Sequence, residues 1–62
     1  MTYYLIELSE NDTKKYYFNQ RTLVNNPGLA HPFPSQELAL QSFGKSSFKA
    51  LPYRLVKVER DY

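Results

Sequence analysis

The chain opens on a strand-forming run, "TYYLIEL", rich in aromatic and β-branched residues and free of strand breakers. Alternation puts Tyr4, Ile6 and Leu8 on one face and Tyr3, Leu5 and Glu7 on the other. The polar stretch "SENDT" follows, and its side chains can bond nearby backbone groups in a turn. "KKYYFNQ" then reads as a second strand, with Tyr16 and Phe18 on one side and Tyr17 and Asn19 on the other. Thr22–Val24 are expected to prolong it. So short a polar connection favours an antiparallel hairpin.

"NNPG" reads as a turn, with Pro27 fixing φ and Gly28 free to take positive φ. Pro32 and Pro34 bias His31 and Phe33 toward extended backbone. Ser35 is a good helix N-cap, and Glu37 suits the positive end of a helix dipole. The spacing predicts a helix from Gln36 to Phe43, with Ala39, Leu40 and Phe43 on its buried side. Gly44 stops it. In "SSFKAL", Phe48 is expected to pin an irregular or helical turn, and Pro52 ends that piece. "YRLVKVE" is a last strand, expected to pair beside the first, and "RDY" reads as a loose tail.

These elements predict an α+β fold, β-β-α-β, with a small, mainly antiparallel three-stranded sheet and one short helix on one face. Both sheet faces carry large apolar side chains, where a half-covered sheet should alternate apolar and polar. Tyr4, Ile6, Leu8, Tyr16, Phe18, Val56 and Val58 are expected under the helix. Tyr3, Leu5, Tyr17, Tyr53 and Leu55 then form an outer face that is unusually apolar. Tyrosines at a sheet surface with wet hydroxyls would account for it. So would a partner or a second copy of the chain covering that face.

The chain has 62 residues, which makes residues 1–62 a single domain. A domain this small buries only about 60% of its unfolded surface, so its margin of stability is narrow. With no cysteine and one histidine, neither a disulfide nor a structural zinc site is expected to reinforce it, and no cofactor is implied. Packing of six tyrosines and four phenylalanines, or dimerisation, must do so. The N-terminal run has neither a signal-peptide pattern nor a transmembrane span, so a cytoplasmic protein without membrane contact is expected.

The net charge of +2 is too small for a dedicated DNA-binding stripe and has the wrong sign for an acidic decoy. "FGKSS" ends like a phosphate-binding loop, but Ala39 stands where the motif needs glycine, and a helix precedes Gly44 rather than following it. His31 has no cysteine nearby, Ser35 is better used as a cap, and the carboxylates are scattered. No catalytic constellation is visible, which points away from an enzyme.

Lys14, Lys15 and Arg21 flank Tyr16, Tyr17 and Phe18, an arrangement that suits single-stranded nucleic acid. Lysines guarding a strand edge would look the same. The modest charge favours a protein-binding role, for which Tyr3, Tyr17 and Tyr53, rimmed by Lys14, Lys15 and Arg21 and joined by His31, are the candidate contact residues. A homodimeric structural role is the remaining alternative.

The pattern Ala30-x-x-Phe33-x-Ser35-x-x-x-Ala39, with Glu37 and then "YRLVKVE", resembles many short uncharacterised bacteriophage proteins. The likeness covers the second half of the chain in detail and the hairpin only in style. Such proteins look like early gene products, some of which bind and inhibit host enzymes or defence complexes. The resemblance therefore implies a partner among host bacterial proteins and a place in the host cytoplasm. It carries over no functional residue, because the matched positions are a loop, a cap and a core face.

Overall fold

The computed structural model describes residues 1–60. Of the tail expected at "RDY", only Arg60 is among them. Four strands form one antiparallel sheet: β1 (Thr2–Glu10), β2 (Thr13–Asn19), β3 (Thr22–Val24) and β4 (Tyr53–Glu59), in the order β3-β2-β1-β4. One helix, α1 (Gln36–Gly44), packs on one face. The α+β class and the placing of the last strand beside the first agree with the sequence reading. The strand count does not. Thr22–Val24 fold back on β2 instead of prolonging it, with Asn19 opposite Thr22. The reversal rests on Asn19, whose side-chain oxygen accepts from the Arg21 N–H at 2.8 Å. A bulge between Tyr17 and Asn19 accommodates the turn.

The β1–β2 turn is tighter than five polar residues suggest. Glu10 pairs with Thr13, which leaves a two-residue loop, Asn11-Asp12. Both have positive φ, 51° and 63°, the signature of a type I′ turn. Asn and Asp are among the few non-glycine residues that tolerate that region.

This short loop fixes which side chains point where. With Glu10 opposite Thr13, Leu8 faces Lys15 and Glu7 faces Tyr16, so even positions of β1 share a face with odd positions of β2. Tyr17 therefore joins Ile6 and Leu8, and it is 1% exposed. The β1–β4 register has the same parity, Ile6 opposite Leu55 and Leu8 opposite Tyr53. The core is Ile6, Leu8, Tyr17, Phe33, Ala39 and Phe43, with Leu23, Phe48, Leu51 and Leu55 packed against it. The expected faces were right for Ile6 and Leu8 and inverted on β2 and β4. Val56, Val58 and Tyr16 lie away from the helix, and Phe18 is exposed.

α1 begins where Ser35 accepts from the Leu38 N–H at 3.2 Å. It buries Ala39 and Phe43 but leaves Leu38 and Leu40 exposed, so Leu40 does not belong to its core face. Ser46 closes the far end. Its N–H and its hydroxyl both donate to the Phe43 carbonyl, at 3.0 and 2.6 Å. That serine is therefore a helix stop rather than part of a phosphate loop.

The proline-rich stretch has an architectural task. β1 and β2 pair only from Glu7 to Glu10. Below that point residues 31–33 lie beside β1: Phe33 exchanges backbone hydrogen bonds with Tyr4, at 2.8 and 2.9 Å. The His31 N–H donates to the Tyr17 carbonyl on β2 at 3.1 Å. Each N–H from His31 to Pro34 is thus either bonded or, at the two prolines, absent. Ahead of it, Pro27–Leu29 form a 3-10 turn capped by Asn26, which accepts from the Gly28 N–H at 2.8 Å. Gly28 does not take positive φ as expected. A Cβ there would stand 3.2 Å from the Asn26 side-chain oxygen, tighter than an ordinary contact.

Candidate binding face

The inserted segment divides the sheet's two faces. His31 and Phe33 point toward the helix side, where their rings meet edge-on at 4.7 Å. Ala30 and Pro32 alternate to the opposite, outer side. There, with Pro27 and Gly28, they face Tyr3, Leu5 and Val58 across an apolar groove of about 690 Å³. Leu5 and Ala30 form its floor, 6% and 8% exposed. The Tyr3 hydroxyl accepts from the Arg60 side chain at 3.1 Å and marks one end. A concave, mainly apolar recess with a few polar groups at its margin is the usual form of a binding site.

Beside the groove on the same outer face lies a polar cluster centred on Glu7. Tyr16 and Arg54 stand directly opposite Glu7 on its two neighbouring strands. Arg54 donates to one carboxylate oxygen at 3.0 Å, and the Tyr16 hydroxyl donates to the other at 3.3 Å. Lys14 stands 3.7 Å away. Burial by itself would raise the Glu7 pKa. The Arg54 hydrogen bond and charge, the Lys14 charge and the Tyr16 hydroxyl together outweigh it and hold the carboxyl below its ordinary value. Burial raises the Tyr16 pKa, and the Glu7 charge and hydrogen bond add to the effect. The glutamate is thus satisfied by three neighbours and orders the face chemically.

The residues singled out from the sequence do not form one surface. Tyr3 lies on the outer face, half-buried at the groove. Tyr17 is in the core, where its hydroxyl meets the Ser42 Oγ at 2.8 Å, and it has no surface to offer a partner. Tyr53 is on the helix side, its ring 4.5 Å from that of Phe43. Lys14 is on the outer face with Glu7, whereas Lys15, opposite Leu8, is on the helix side. Arg21 sits exposed in the β2–β3 turn, and His31 lies exposed on the helix side against Phe33. The basic and aromatic run on β2 is dispersed in the same way. Of its three aromatics, Tyr17 is buried, Tyr16 is tied to Glu7, and only Phe18 is exposed.

Sequence reasoning missed Leu5, Ala30, Pro32 and Val58 as members of one recess. The parity of the two-residue turn would have placed Tyr17 inside. Nothing local in the sequence brings Ala30 and Pro32 to Leu5. Among the described residues, no three His, Cys, Asp or Glu side chains gather as a metal site, and no helix is long and apolar enough to cross a membrane. No family model, no curated protein and no solved structure matches the chain.

Proposed function

We propose that this protein is a small non-enzymatic binding module that presents the outer face of its sheet to a partner protein. The observation that carries the reading is the apolar groove between Tyr3, Leu5 and Val58 on the sheet and Ala30 and Pro32 on the inserted segment. The main core lies on the helix side of the sheet, so this recess is a second apolar surface, floored by the buried Leu5 and Ala30. A tyrosine at a shallow apolar recess, with the ordered polar cluster of Glu7, Arg54 and Lys14 farther along the same face, matches the anatomy of protein interfaces. The resemblance to short bacteriophage proteins supports a bacterial host protein or complex as the partner and modulation, or inhibition, of it as the outcome.

The test is site-specific photo-crosslinking in bacterial cytoplasm. A photoreactive side chain at position 3 should give one discrete adduct with a partner protein, and the same group at Leu40, on the exposed side of α1, should not. Adducts of equal yield from both positions, or none from position 3, would remove the outer face from the reading.

A further inference from the structure

The outer face of the sheet is charged unevenly. Its row along β4 is Arg54, Val56, Val58 and Arg60, the last held in the ladder by backbone hydrogen bonds with Met1. Two valines thus lie between two arginines, whose positions are about 20 Å apart at about 3.3 Å per residue. Lys14, on β2, joins the Arg54 end. Glu7 is the one carboxylate that alternation places on this face among the described residues; Glu10 and Glu59 alternate to the helix side. Glu7 also lies low. Its side chain is 11% exposed, whereas those of Lys14 and Arg54 are 65% and 69% exposed.

Lys14, Arg54 and Arg60 against Glu7 alone leave the face positive. Arg54 gives Glu7 its Nε–H, and a guanidinium has five N–H donors in all. A second carboxylate can therefore bind Arg54 without displacing Glu7. The apolar groove lies between the two cationic ends. Arg60 lines it at one end, and its floor residue Leu5 is one alternate position, about 7 Å, from Glu7 at the other.

Resting on the reading of the outer face as a protein-binding surface, we infer the chemistry of what it binds. The occupant is an acidic segment of a partner protein, with an apolar side chain seated in the groove. Carboxylates on either side of that anchor meet Arg60 at one end and Arg54 with Lys14 at the other. An extended segment of about seven residues spans the row. The anchor supplies affinity, and the complementary charge steers the encounter and fixes the register. A nucleic-acid strand fits less well, because it needs ring faces to stack on. Of the outer rings, Tyr3 and Tyr16 are half-buried with their hydroxyls bonded, and Phe18 alone is exposed.

Selection of a random-peptide display library on the purified full chain at low ionic strength tests the chemistry, with a thymidine oligonucleotide as the second probe. Selected peptides should carry Asp or Glu on both sides of an apolar residue. The strongest binder, followed by fluorescence anisotropy, should lose about tenfold in affinity when its acids are replaced by amides. Arg54→Gln and Lys14→Gln should each weaken it about threefold or more. Lys15→Gln removes the same charge from the helix side and should change nothing. In Arg54→Gln the amide peptide should lose less than the two separate losses combined, which locates the pairing. Circular dichroism checks that each variant is folded, and Lys14→Gln, at an exposed lysine, carries the test if Arg54→Gln is not. Selected peptides without acidic enrichment, affinities indifferent to Lys14 and Arg54, or no selected binder overturn the acidic partner. So does oligonucleotide binding that is tighter than any peptide's and is lost in the same variants. The two readings fail apart. If Tyr3→Ser abolishes peptide binding while the charges do not matter, the groove stands and its partner is not acidic. If Tyr3→Ser changes nothing either, the outer face itself falls.

Discussion

Phe33 and Tyr4 exchange both of their backbone hydrogen bonds, at 2.8 and 2.9 Å, and so hold a non-strand segment inside the sheet. The Phe33 ring meanwhile packs 5.9 Å from that of Tyr17 in the core. One residue therefore fixes the insert on one side and fills the core on the other. Phe33→Ala should cost about 3–5 kcal/mol, a large fraction of what a small domain has. Urea denaturation followed by circular dichroism should show a chain largely unfolded before denaturant is added. Pro32→Ala removes no hydrogen bond and should shift the midpoint little.

Tyr17 gives a second test of the core. Its hydroxyl meets the Ser42 Oγ at 2.8 Å and reaches the Ser42 carbonyl at 3.3 Å. Tyr17→Phe should lose about 1 kcal/mol. A double-mutant cycle with Ser42→Ala should show coupling between the two positions. A tyrosine with its hydroxyl in water would show neither effect.

The Glu7 cluster should make stability pH-dependent at both extremes. The Glu7 pKa is lowered by folding, so the stability it confers is complete above the ordinary carboxylate value of 4.5 and is lost as pH falls through the folded value. Tyr16 has the opposite sign. Its pKa is raised, so its contribution is complete below 10.0 and is lost as pH rises past that value. Thermal unfolding of Glu7→Gln between pH 2 and 5 should fall less steeply with acid than that of the parent, a range set by the carboxylate titration. Tyr16→Phe should flatten the alkaline limb.

The β1–β2 turn has room for improvement. Asp12 sits at φ 63° in a two-residue loop, a conformation that glycine adopts without the Cβ penalty. Asp12→Gly should stabilise the protein by about 0.5–1 kcal/mol, because Asn-Gly is the favoured type I′ pair. A rise of a few degrees in Tm would register it. A fall would show that the Asp12 side chain matters more than its backbone.

β1, β2 and β4, the Ser35 cap and the burial of Ala39 and Phe43 were legible because each is written in local pattern and capping chemistry, whereas β3 as a separate strand and the exposure of Leu40 were not. The facing of β2 and β4 was not. Both faces of those strands carry apolar residues, so alternation alone cannot choose between them. On β2 the choice is made by turn length: two residues rather than five send Tyr17 inward and Tyr16 out to Glu7. On β4 it is made by long-range pairing with β1, for which no local signal exists. The groove depends on both, and on an insert whose pairing with Tyr4 spans distant parts of the chain. The tyrosine content did point to surplus apolar surface. It did not say which tyrosine faced out.

That division among the tyrosines supplies the sharpest test. Once the crosslinked partner is in hand, its affinity for the parent chain, Tyr3→Ser and Tyr53→Ser can be compared by titration calorimetry. Tyr3 borders the groove, whereas Tyr53, 46% exposed, lies on the helix side. Binding through the outer face predicts a loss of about tenfold or more for Tyr3→Ser and no change for Tyr53→Ser, with both variants folded. Unchanged affinity in Tyr3→Ser, or a loss confined to Tyr53→Ser, would contradict it.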